Sequence, residues 1–166
     1  MKAVMISIRP KWVELIALNK KTYELRKTYP RLDTPFKCYI YMTRYSWAFN
    51  LLHQYRMDDL AERLAVESGM VVGEFMCSAI DTAAIPTDGE PICNMSIIEN
   101  ACLTRDEVIE YGGGKTVYAW RISEPKFYDK PYKLTDFCRE EQGEDFVVIW
   151  PVNRAPQSWQ YVEELE

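Results

Sequence analysis

Apolar positions come in short blocks along the chain, and the spacing within each block predicts an element. Residues 2–8 (Lys2-Ala3-Val4-Met5-Ile6-Ser7-Ile8) alternate and are β-branched enough for a buried strand. Pro10 suits the first turn of a helix, and Trp12, Leu15 and Ile16 give that helix one apolar face through about Leu18. Asn19 suits a left-handed cap, with Lys20 and Lys21 well placed near a helix C-terminus. Thr22–Tyr29 returns as a strand, broken by Pro30 and the Asp33-Thr34-Pro35 turn, and Phe36–Thr43 is a third strand. From Ser46 to Ser68 the pattern turns helical, with Leu52, Tyr55, Leu60 and Leu64 as its stripe and Gly69 as its stop.

Met70–Ile80 predicts a long apolar strand with a bulge at Gly73. Residues 81–103 read as irregular, punctuated by Pro86, Gly89 and Pro91. Leu103–Tyr111 predicts a short helix, opened by a Thr104/Glu107 capping box and closed by Gly112-Gly113-Gly114. Val117–Ile122 is a strand, a loop with Pro125 and Pro131 follows, and Phe146–Trp150 is a last apolar strand. The aromatic tail, with Trp159 and Tyr161, is placed to close the sheet. This order predicts an α+β domain: a small β-barrel of five to six strands with flanking helices.

Composition narrows the class. With 166 residues and 48% hydrophobic content, the chain can bury a core as one compact domain over 1–166. No run approaches the roughly 18 apolar residues of a membrane span, and the first residues lack the features of a signal peptide. A cytoplasmic protein without membrane partners is the expectation. The five cysteines are odd in number and widely spaced, without a C-x-x-C pair, so neither a disulfide framework nor a zinc site is indicated. The only histidine, His53, falls in the predicted helix 46–68, which argues against a Ser-His or Cys-His nucleophile. No cofactor or metal is called for. Gly112–Gly114 before Lys115-Thr116 is no phosphate loop, because a helix precedes it and a strand follows.

The net charge of −5 argues against nucleic acid, but its distribution reverses that argument. Residues 9–56 hold ten Lys/Arg against Glu14, Glu24 and Asp33, a local balance of +7, whereas residues 57–166 stand at −13. One positive region on an acidic protein steers an anionic ligand without general stickiness.

Its densest part is Asn19-Lys20-Lys21-Thr22-Tyr23-Glu24-Leu25-Arg26-Lys27, four cations and one carboxylate at a helix–strand junction. In a strand, Glu24 and Arg26 project from one face, and Lys21 at the bend can swing toward them. A carboxylate between two cations is an ion-paired scaffold, or an anion site with a built-in acid or base. Trp12, Tyr29, Tyr45, Trp47, Trp159 and Tyr161 are candidate stacking platforms for bases, although half of them suit the core and the helical stripe favours the core for Trp12.

Two pieces, Ser7-Ile8-Arg9-Pro10-Lys11-Trp12 and Asn19 through Arg26, resemble the N-terminal signature of the ASCH domain in the PUA-like superfamily. The family motif is G-x-K-x-x-E-x-R. Lys21, Glu24 and Arg26 stand in register, with Asn19 in place of the glycine. The resemblance implies a small bacterial or phage-type member with a PUA-like barrel, in which segment 46–68 is a helical insertion. It also implies a basic cleft at the helix–strand junction that binds RNA or a nucleotide-like ligand. Some members are similar to nucleases in activity, and one group hydrolyses the amide of acetylated cytidine. That group has a threonine where this chain has Glu24.

The first reading is therefore RNA or nucleotide binding, with Arg9, Lys21, Glu24, Arg26, Lys27 and Tyr29 as the ligand-binding residues. A second is a metal-independent hydrolase, a ribonuclease or modified-nucleoside amidohydrolase, in which Lys21 and Glu24 are catalytic. A third is a protein-interaction module. The ligand-binding geometry requires the charged ends of Arg9, Lys21, Glu24 and Arg26 to share one concave surface.

Overall fold

The computed structural model describes residues 1–44, 68–143 and 146–165. The predicted helix 46–68, with His53 and the platforms Tyr45 and Trp47, falls outside the described residues except for its last position. The described elements, in order, are β1 (Lys2–Ile8), α1 (Pro10–Ala17), β2 (Tyr23–Arg26), β3 (Phe36–Met42), β4 (Val71–Ile85), β5 (Ile92–Cys93), α2 (Met95–Asn100) and α3 (Arg105–Gly112). They continue with β6 (Val117–Tyr132), a 3-10 turn (Leu134–Asp136), β7 (Cys138–Gln142), β8 (Val147–Pro151) and β9 (Trp159–Glu163).

The class is α+β, and the principal sheet is mixed. Its seven strands run β2-β6-β4-β3-β1-β9, with β5 paired to β4, while β7 and β8 form a separate two-stranded sheet. The expected barrel of five to six strands is thus replaced, among the described residues, by a larger sheet that is not closed. β9 pairs antiparallel with β1 and ends the strand order. No helix among the described residues is long and apolar enough to cross a membrane.

The chain divides into two compact units: unit 1 holds residues 1–14, 37–74 and 126–166, and unit 2 holds residues 15–36 and 75–125. In unit 1, β1 lies parallel to β3 with Val4 opposite Cys38 and Ile8 opposite Met42. A strand flanked on both edges and covered on both faces reads as a continuous apolar run, which is what Ala3–Ile6, all fully buried, show. Met5, Tyr39, Phe137, Val152 and Val162 pack into one cluster there. Beside it the Tyr128 hydroxyl donates to Glu74 Oε2 at 2.5 Å; burial first, and then this bond, push the phenol well above its usual range. Gly73 is needed for close approach, since a Cβ there would sit 2.5 Å from the Lys126 carbonyl oxygen.

In unit 2, Leu25, Ile98, Val108, Val117 and Ala119 belong to a second cluster. The segment read as irregular contains the end of β4, β5 and α2, whose first turn is capped by the Asn94 side chain accepting from the Ile97 N–H. The capping box predicted at Thr104 and Glu107 is present, and α3 closes on left-handed Gly113 (φ 56°). That is a helix-terminating turn, as the order of elements required.

Candidate functional site

The stretch 19–27 folds as its residue types dictate. After α1 the chain turns through Asn19 in the left-handed region, φ 54°, which asparagine tolerates better than most side chains. The Lys20 and Lys21 N–H groups both donate to the Leu15 carbonyl, at 2.9 and 3.0 Å, satisfying an otherwise unpaired helix-end acceptor. Thr22 then donates to Asn100 O and accepts from the Ile122 N–H, each at 2.9 Å, so the chain is fixed before β2 begins. In the β2–β6 register Glu24 faces Trp120 and Arg26 faces Tyr118, while Leu25 faces Ala119. Alternation sends Leu25 into the apolar cluster and leaves Glu24 and Arg26 together on the other face, as their spacing predicts.

Glu24 is the centre of the arrangement. Its Oε1 lies 2.6 Å from Arg26 Nη1, and its Oε2 lies 3.4 Å from Lys21 Nζ. That Oε2 is buried and accepts no hydrogen bond from the described residues, so Lys21 acts on it as a charge rather than as a donor. Lys21 Nζ instead donates at 2.8 Å to the carbonyl of Ala101, the C-cap residue of α2. A cation is favoured at that helix end by the aligned peptide dipoles. The sequence pointed to the end of α1 instead, because α2 is too short to announce itself by periodicity. Lys21 is 3% exposed and Glu24 4%, whereas the Arg26 side chain retains 12%. The motif carboxylate and lysine are therefore interior groups.

Solvent is met just beyond them. Lys27 is exposed, with its Nζ 5.1 Å from the ring centroid of Tyr111. Tyr29 is 47% exposed and stands edge-on to Tyr118, with centroids 4.6 Å apart at 70°. Two groupings of cations and rings thus flank the end of β2: Lys27 with Tyr111, and Tyr29 with Tyr118 beside Arg26. Tyr111 and Tyr118 were not singled out by the sequence. Tyr111 ends a helix read from its capping box, Tyr118 lies in a strand, and neither is near the motif in the chain. Arg121 is already engaged, its Nε donating to the Tyr23 hydroxyl at 2.8 Å and its Nη2 pairing with Asp81 at 3.0 Å. The bond to Tyr23 first, and then the Asp81 charge, raise its pKa.

The remaining predicted positions belong to unit 1. Arg9 is exposed at the entry to α1, where its carbonyl accepts the N–H groups of Trp12 and Val13. Trp12 is half-buried beneath Lys11 Nζ at 4.6 Å, and Trp159 packs edge-on to Tyr161. Of the predicted residues, the structure brings Lys21, Glu24 and Arg26 together, with Lys27 and Tyr29 following directly. Among the described residues no group of three or more His, Cys, Asp or Glu is arranged to hold a metal.

This architecture has known counterparts. No protein-family model matches the chain. No curated protein matches it in sequence. Among solved structures it is similar to the ASCH protein of Zymomonas mobilis, at 17% identity and a TM-score of 0.60, covering 98% of this chain and 88% of that one. A tyrosine-to-phenylalanine mutant of that protein gives 17% and 0.60, covering 99% and 92%. A serine-to-alanine mutant gives 16% and 0.56, covering 98% and 89%. At such identity the likeness is one of fold. The chain has the α+β fold of the ASCH structures along nearly its whole length.

Proposed function

We propose that this chain is an ASCH domain of the PUA-like superfamily that binds single-stranded RNA or a nucleotide-like ligand at the end of β2. The observation that carries this reading is Tyr29, nearly half exposed and braced edge-on by Tyr118, whose cross-strand partner is Arg26. A braced, exposed ring is a platform for a base, and cations beside it meet the phosphates. Arg26 and Lys27 take the phosphate role. Lys21 and Glu24 contribute by positioning: the buried carboxylate fixes the Arg26 guanidinium from one side while the lysine neutralises it from the other.

The test is fluorescence anisotropy with a labelled single-stranded oligoribonucleotide. Tyr29→Ala is expected to weaken binding by about 1–3 kcal/mol, the contribution of one stacked base. Lys27→Gln is expected to weaken it further, independently of base sequence. Wild-type affinity in both variants would refute the reading. The same samples, followed for oligonucleotide cleavage and for release of acetate from acetylcytidine, address the hydrolase alternative. Turnover lost in Glu24→Gln at unchanged affinity would make Lys21 and Glu24 catalytic.

A further inference from the structure

The C-terminal strands of unit 1 contain a cavity of about 340 Å³ that the motif does not account for, lined by Arg139, Pro151, Val152, Asn153, Arg154 and Gln160. That volume lies in the range of small-ligand sites. Val152, 2% exposed, joins the cavity to the apolar cluster of Met5, Phe137 and Val162. Gln160 lies opposite Met5 in the β1–β9 register, so its side chain shares that face. Its Nε2 is buried and has no hydrogen-bond partner among the described residues.

The polar residues of the lining are Arg139, Arg154, Asn153 and Gln160, and among the described residues no acid lines the cavity. Glu141 is the acid on the same face as Arg139, two positions along β7, while Glu140 projects from the opposite face. Two arginines select an anion rich in acceptors, and planar guanidinium groups match phosphate oxygens in pairs. Trp150 is the cross-strand partner of Arg139, so the two side chains share one face of the hairpin, and Trp150 is 48% exposed. The sequence reads residues 146–150 as a last apolar strand. Among the described residues β8 pairs only with β7, and Val147, Ile149 and Trp150 are exposed.

We propose that this cavity binds the phosphate of a nucleotide. Arg139 and Arg154 hold the phosphate oxygens, Asn153 donates to a remaining acceptor, and the base lies on Trp150. The proposal is independent of the interface at β2, since none of its residues belongs to the motif or to unit 2.

Isothermal titration of the full chain with adenosine monophosphate, inorganic phosphate and adenosine tests it. The nucleotide is expected to bind most tightly, phosphate more weakly, and adenosine least. The double variant Arg139→Gln, Arg154→Gln is expected to lose at least tenfold in affinity for both phosphate-bearing probes. Trp150→Leu is expected to bring the nucleotide down to the affinity of phosphate. All titrations are made in a Tyr29→Ala, Lys27→Gln background, in which the β2 interface is disabled, so that the binding read is that of this cavity. All the substituted side chains are exposed, and unchanged circular dichroism confirms folding. Absence of nucleotide binding at millimolar concentration, or binding that survives the double variant, overturns the proposal. Equal affinity for phosphate and nucleotide, with Trp150→Leu silent, overturns the assignment to a nucleotide.

Discussion

Glu24 is closed to water and held between two cations, which makes its charge a matter of stability. A buried ion pair gains little over an apolar replacement, but removing one partner leaves the others uncompensated. Glu24→Gln preserves shape and removes only the charge, leaving Lys21 and Arg26 facing a neutral amide. The expected loss is about 3–5 kcal/mol, read as a lower midpoint in urea denaturation. An unchanged midpoint would show that the network does not contribute to the fold. Tyr29→Ala, at an exposed position, is the control and should move the midpoint little. The spacing of Lys21, Glu24 and Arg26 was enough to place them on one face. Their burial was not legible, because alternation treats a solvated charged face and a covered one alike. Trp120 lies opposite Glu24 across the strands and Ala101 accepts from Lys21, and both are far along the chain.

Elements were legible in proportion to how much of their own pattern they carry. β1, β3 and α3 declare themselves by continuous apolar runs or by a capping box, and the structure has them at those places. β7 is Cys-Arg-Glu-Glu-Gln, without an apolar face, and exists because β8 supplies its hydrogen-bond partner. β6 passes through Pro125, which the sequence took as a break; Glu124, left-handed at φ 51°, absorbs the bend and the strand continues to Tyr132. Gly73 was expected at a bulge, and its role is to let the backbone of β6 come close. Gly73→Ala would drive a methyl group into the Lys126 carbonyl. It is expected to destabilise the protein by about 1–3 kcal/mol, measured by thermal melting, with no effect on RNA affinity per folded molecule. A silent substitution would contradict this packing.

At the scale of the whole molecule, the charge asymmetry is the property that a net value of −5 conceals. If residues 9–56 carry the phosphate contacts, log K for single-stranded RNA should fall linearly with log salt, by about 0.7 for each phosphate neutralised. Lys27→Gln should flatten that slope by about one such step. Affinity indifferent to salt would point to a small neutral ligand. The sequence by itself determined the α+β class, the strands with apolar runs, the cap at Asn19, the capping box and the alignment of Glu24 with Arg26, since all of these follow from local periodicity and residue geometry. Tertiary structure alone decided that the sheet stays open with seven strands, that Lys21 serves the end of α2 and that β8 lies exposed. Each depends on which distant segments supply hydrogen-bond partners and cover, a choice that is settled only when the chain is packed.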